Sequence, residues 1–178
     1  YSDSIYILVL IMNTVKILKT YISEISVNEV SSLLNNKHSL KVAICNTNTV
    51  IRSYRDETLG KIINSFDIKT PDGFPIAKSS SILYSNNQRR VDGYNVLLTT
   101  IREGLEKNTS HYFFGSDDYI LKKVIQNLEK DFPLINIVGS LSPPVTEFNQ
   151  LTEEQYIQDI QNLNPDIVWV SLGFPKQE

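Results

Sequence analysis

Cysteine occurs once, at Cys45, and histidine twice, at His38 and His111. One thiol cannot close an internal disulfide, so nothing here supports a secreted, disulfide-stapled fold, and a reducing compartment is allowed. Two distant histidines and a lone cysteine do not make a zinc spacing, and no obligatory metal is expected. Positive charge is not in excess either: 17 Lys and Arg face 20 Asp and Glu, for a net charge of −3. That argues against a broad nucleic-acid surface, which needs a basic stripe. It leaves room for a small basic site that could hold a diphosphate. Long apolar runs are missing. Residues 5–11, IYILVLI, fall far short of the roughly 20 that a membrane helix needs. No basic segment precedes them, as a signal peptide would require. The glycine-rich GxGxxG fingerprint and the Walker A motif are absent from the sequence, and with them nicotinamide chemistry on a Rossmann oxidoreductase and ATP hydrolysis lose ground.

What remains is an ordinary globular balance: 178 residues, 41% hydrophobic and 21% charged, enough for one domain with a sizeable core. Regular patterning begins after Met12, the only methionine. The expectation is that residues 1–11 are an upstream extension, with an added edge strand as the alternative. Residues 12–178 then form a single domain. A start at Tyr1 and an ending at Gln177-Glu178 without a tail read as a fragment at both ends.

Short β-branched runs alternate with helical periodicity, which predicts an α/β fold on a mostly parallel sheet flanked by helices. Strands are expected at residues 15–18, 41–45, 66–69, 111–114, 136–138 and 166–170. Helices are expected at 27–34, capped by Ser26, at 49–65 with a break near Asp56, and at 93–107, 117–130 and 151–163. Thr152 and Gln155 fit a capping box for the last of these. Residues 74–84 read as a short helix or a loop. Residues 139–150, with Pro143-Pro144, read as the longest loop. Asn46, Asp72, Gly115, Gly139 and Gly173 each follow an expected strand. In a parallel sheet such positions gather at the carboxyl edge, where ligands bind.

Each motif has a plain reading and a functional one. Thr70-Pro71-Asp72-Gly73 is ordinary turn chemistry. It also sets a carboxylate on a rigid turn, where an ionised aspartate can act as a general base. Arg89-Arg90-Val91-Asp92-Gly93 is a solvated basic pair, or a guanidinium placed to grip a diphosphate with parallel hydrogen bonds. Phe113-Phe114-Gly115-Ser116-Asp117 is a strand-to-helix turn whose glycine admits a ligand to the backbone. Asp117 and Asp118 suit a helix start, with magnesium as the lesser reading. Cys45 ends the run Val42-Ala43-Ile44-Cys45 and reads as a buried strand thiol rather than a nucleophile. In the last stretch, SLGFPKQE, Lys176 can face phosphate and Gln177 a sugar or uracil edge, or the whole is a surface loop.

Five stretches in order resemble the WecG/TagA/CpsF glycosyltransferases: ICNTNTVI (44–51), TPDGFP (70–75), RVDGYN (90–95), FPLINIVGSLSPP (132–144) and PDIVWVSLGFPKQE (165–178). The resemblance implies a Rossmann-like sheet without a required metal or cofactor. It implies an inverting transfer from a UDP-sugar donor, typically UDP-N-acetylmannosamine or another UDP-hexose, to a sugar on a polyprenyl diphosphate. Such products feed teichoic acid linkage units and other cell-surface polysaccharides. Asp72 matches the family's base, Arg90 its arginine near the donor diphosphate, Gln177 the glutamine of its PKQE segment and Asn46 the asparagine after the second strand. Gly115 and Gly139 are the expected backbone donors. Ile44 stands where many relatives have Thr, and Asn95 where many have Asp in an RVxGxD pattern. Relatives continue past PKQE with a basic appendage that meets the membrane. With its lipid-linked acceptor, the resemblance implies a cytoplasmic protein, peripheral to the inner face of the plasma membrane and self-associating, while the charge balance implies no nucleic-acid partner. The alternative is a truncated UDP-sugar-binding domain with weak catalysis.

Overall fold

A computed structural model describes residues 12–36, 39–144 and 154–178. Residues 1–11, His38 and Thr152 with its expected capping box lie outside the described residues. Two compact units divide the chain: one comprises the residues up to Thr100 together with Glu178, the other Ile101 to Gln177.

The first unit opens with β1 (Thr14–Ile17) and β2 (Thr20–Ser23), an antiparallel hairpin with Val15 opposite Ile22. The hairpin was not expected. Its turn, Leu18-Lys19, has none of the usual Gly, Asn or Asp signals, and Leu18 itself takes the left-handed conformation, φ 55. Helix α1 (Val27–Leu34) begins where expected, because Ser26 and Glu29 cap each other reciprocally. Strand β3 (Val42–Cys45) leads into α2 (Thr47–Arg55) and α3 (Glu57–Asn64). The break expected near Asp56 is there: the Asp56 backbone N–H closes α2 on Arg52, and its Oδ1 accepts from Thr58 N and Leu59 N to start α3.

Strand β4 spans Ile68–Pro71, two residues later than expected. It pairs in parallel with β3, from Val42 opposite Ile68 to Cys45 opposite Pro71. Thr70-Pro71 thus belongs to the strand, and the turn begins at Asp72. Proline is tolerated because it sits at the last ladder position, where its missing N–H costs no bond. Residues 74–84 are a helix, α4 (Phe74–Tyr84), with proline in its first turn. Helix α5 (Gly93–Gly104) follows, and the boundary between the units falls within it. The core of this unit includes Ile22, Val30, Cys45, Val50, Ile63, Ile68, Val91 and Val96, all nearly inaccessible.

The second unit holds a parallel sheet in the order β6-β5-β7, formed by β5 (Ser110–Gly115), β6 (Asn136–Leu141) and β7 (Ile167–Ser171). Helices α6 (Asp118–Asp131) and α7 (Glu154–Leu163) make the two crossovers. Three of the four strand pairings among the described residues are parallel, as the alternating pattern requires for a Rossmann-like α/β fold. Strand β6 corrects one expectation. It does not stop before Gly139: a register shift between His111 and Tyr112 leaves Val138 without a partner, and pairing continues through Leu141. No helix among the described residues is long and apolar enough to cross a membrane.

Candidate active site

In the first unit the parallel pairing of β3 and β4 sets two strand ends side by side. Cys45 lies opposite Pro71, so Asn46 and Asp72 are each the first residue beyond the carboxyl edge. The Asp72 N–H donates to Cys45 O at 3.0 Å and holds the turn to the neighbouring strand. Gly73 then takes φ 87, a conformation that a side chain disfavours, and the chain enters α4 at once. Asn46 caps α2: its Oδ1 accepts from Thr49 N at 3.1 Å. Asn46 is exposed, and its Nδ2, which the cap does not use, is able to donate.

The segment after α4 returns to the same edge. Val91 is buried, and its N–H donates to Pro71 O at 3.0 Å. This main-chain bond brings the residues on either side of Val91 to Asp72. Arg90 Nε donates to Asp72 Oδ1 at 3.1 Å and lies 3.9 Å from Asp92 Oδ2. The Arg90 side chain is 57% exposed against 19% for Asp72. A pair so open to water adds at most about 1 kcal/mol to stability, so its importance is geometric. Only Nε is engaged, which leaves both terminal nitrogens of the exposed guanidinium able to donate to a ligand. Asp72 Oδ2 has no hydrogen-bond partner among the described residues.

Asp92 is the residue that the sequence reading missed. Its Oδ1 accepts from Asn95 N at 3.0 Å and caps α5, and its Oδ2 accepts from Asn95 Nδ2 at 2.7 Å. Burial works to raise the Asp92 pKa, but the Asn95 side-chain and backbone bonds and the Arg90 charge outweigh it and hold the carboxyl below the ordinary carboxylate range. The signal was present: Asp three residues before Asn, at the start of an amphipathic run, is an N-cap pattern. Asn95 itself, noted only as a departure from RVxGxD, is the donor that fixes this carboxylate.

Beneath the edge, Cys45 is fully buried, and its thiol is pushed up to about 12, by burial first, with Lys69 opposing and Glu178 and Asp72 adding to it. A thiol so held is protonated at neutral pH and is no nucleophile, as its place in the strand suggested. Burial lowers the Lys69 pKa, and its ammonium is tied to Phe66 O.

The remaining site candidates lie in the second unit. Gly115 ends β5 with φ 120, and a Cβ there would stand 2.4 Å from Ser171 O. Contact with β7 therefore explains the glycine. Gly139 sits inside β6 opposite Tyr112, not after the strand, and the space beside it is filled by Tyr112 and Leu163. The strand-end argument for Gly139 does not hold. Gln177 Oε1 accepts from Gly173 N at 3.2 Å and closes the loop after β7, next to the cis Phe174–Pro175 peptide. Asp117 caps α6 through Ile120 N, and Asp118 pairs with Lys122 at 2.6 Å, so both serve the helix start. No cluster of three or more His, Cys, Asp or Glu side chains arranged for a metal occurs among the described residues.

Two curated relatives, from Bacillus spizizenii (strain W23) and Bacillus subtilis (strain 168), are both named N-acetylglucosaminyldiphosphoundecaprenol N-acetyl-β-D-mannosaminyltransferase. The first is 26% identical over 117 residues, 66% of this chain and 44% of the relative. The second is 24% identical over 145 residues, 82% of this chain and 55% of the relative. The chain thus spans about half the length of the curated relatives it matches. Residues 15–178 match the family described as Glycosyl transferase WecG/TagA/CpsF. That match runs unbroken from the first hairpin through the Asp72–Arg90 edge to the last residue, and the chain belongs to the WecG/TagA/CpsF glycosyltransferase family.

Proposed function

We propose that this chain carries the catalytic edge of an inverting glycosyltransferase. The enzyme moves N-acetylmannosamine or a related hexose from a UDP-sugar to a sugar on a polyprenyl diphosphate, in teichoic acid or other cell-surface polysaccharide synthesis. The observation that carries the reading is the 3.1 Å contact between Arg90 Nε and Asp72 Oδ1. It puts a free carboxylate oxygen and free guanidinium nitrogens side by side at a parallel-sheet edge. The relatives' names supply the acceptor class, a polyprenyl-diphosphate-linked N-acetylglucosamine.

In the proposed reaction Asp72 Oδ2 takes the proton of the acceptor hydroxyl. The freed oxygen pair attacks the anomeric carbon of the donor from the face opposite UDP. The bond from that carbon to the diphosphate oxygen breaks, and UDP leaves with the electron pair. The terminal nitrogens of Arg90 take up the charge that grows on the diphosphate. Asn46 Nδ2 donates to the donor. Gly115 and Gln177 are assigned to donor binding by their motifs, and Gly139, inside β6, is not. The protein works at the cytoplasmic face of the plasma membrane as a peripheral protein.

Calorimetric titration of the chain with UDP and UDP-N-acetylmannosamine, with and without magnesium, tests the donor half. Metal-independent binding that falls by tenfold or more in Arg90→Ala is the expected result. Unchanged affinity in that variant removes Arg90 from the donor site. In a full-length enzyme, Asp72→Asn should abolish turnover and leave the urea midpoint near its original value. Retained turnover would overturn the assignment of the base.

A further inference from the structure

Residues 73–91 contain no Asp or Glu and three cations, Lys78, Arg89 and Arg90, in a chain whose net charge is −3. This stretch includes α4, which starts two residues after Asp72. A helix of 11 residues runs about 16 Å. Ile76, Ala77 and Ser80 face the core. The opposite side is apolar where a surface helix is normally polar: Phe74 is 73% exposed, Ile82 67% and Leu83 64%. Phe74, Lys78 and Ile82 are spaced i, i+4, i+8 and so form one stripe. The stripe has a cation at its centre and begins at the candidate catalytic edge. At the far end the Tyr84 hydroxyl accepts from Lys16 N and donates to Lys16 O, which fixes the helix to β1.

Charge and shape together select an occupant. Phe74, Ile82 and Leu83 are large apolar groups standing out from one helix. They suit insertion into the boundary between lipid headgroups and acyl chains, with lysine at headgroup level. The absence of acids along the whole stretch fits an anionic surface. We infer that the outer face of α4 (Phe74, Lys78, Ile82 and Leu83) docks on an anionic lipid bilayer and brings the Asp72 edge to an acceptor held there. The inference rests on the proposed function, because a lipid-linked acceptor is what makes such docking useful at this edge.

Flotation of the chain with vesicles of equimolar phosphatidylglycerol and phosphatidylcholine, against phosphatidylcholine alone, is the test. Binding is expected to the anionic vesicles and not to the neutral ones. Ile82→Ser with Leu83→Ser should weaken it by about tenfold or more, and Lys78→Glu by about fivefold. These side chains are exposed, so the variants should keep the parent urea midpoint, and their affinity for UDP should be unchanged. Binding that survives both changes, or no binding by the parent chain, overturns the inference. A dimer in sedimentation velocity that the Ile82/Leu83 variant dissociates would assign the face to a second copy and overturn it as well. Loss of UDP binding with flotation intact would count against the proposed function and not against this face.

Discussion

At the scale of single residues, the charged groups of this chain respond to acid in separate ranges. His111 is buried in β5, and burial first, with Asp166 opposing, lowers its pKa from 6.5 to about 4. Its Nδ1 accepts from Trp169 Nε1 at 3.2 Å, so the neutral ring carries its proton on Nε2. The unfolded chain takes up a proton below 6.5 that the folded one refuses until about 4. Stability from this residue is therefore full at neutral pH and is lost as pH falls between those values, by roughly 3 kcal/mol in all. Urea titrations at neutral pH and at the lower end of that range, on the parent and on His111→Gln, should show the parent losing more. Trp169 is the only tryptophan, and its fluorescence should change as its acceptor is protonated. Asp92 shifts in the same sense but at lower pH: its depressed pKa means stability present above the ordinary aspartate value and lost as pH falls through the lower folded value. Asp92→Ala should cost about 1 kcal/mol through the lost α5 cap, while Asp92→Asn keeps the acceptor and most of that stability. Both are measured by urea denaturation.

At the scale of elements, local chemistry sets where helices start, and neighbours set where strands stop. Ser26, Asp56 and Asp117 were readable as caps or breaks because a side chain two or three residues from its N–H partner needs no tertiary help. Asp56→Ala should therefore loosen the α2–α3 junction by about 1 kcal/mol, seen as a lower urea midpoint. Strand limits were less readable. The later β4 and the longer β6 follow from partners Lys41, Cys45 and Tyr112, which lie far away in sequence. The β1–β2 hairpin escaped notice because Leu18 adopts its turn conformation without being a turn residue. Gly115 looked like a ligand contact and is required by a neighbouring strand. In Gly115→Ala the new methyl would meet the Ser171 carbonyl at 2.4 Å on an unfavourable φ, and a loss of about 3 kcal/mol or more is expected in the same assay.

At the scale of the whole molecule, ligand binding is the property to measure. UDP at a hundred times its dissociation constant should stabilise the folded chain by about 2.7 kcal/mol, read as a rise in melting temperature that Arg90→Ala cuts by about half or more. The α/β class, the order of most elements and the family were set by the sequence alone, because hydrophobic period, caps and contiguous motifs are local properties. So was the choice of Asp72, Arg90 and Asn46 as candidates, each within a short motif. Their grouping was not. Asp72 and Arg90 are 18 residues apart, and nothing in either motif says that they touch. The parallel register of β3 on β4 and the single bond from Val91 N to Pro71 O decide it. The same packing gave Asp92 its place, took Gly139 into the interior of a strand and left the apolar side of α4 uncovered. Each is a matter of which surfaces meet, and only the folded chain brings distant segments together to meet.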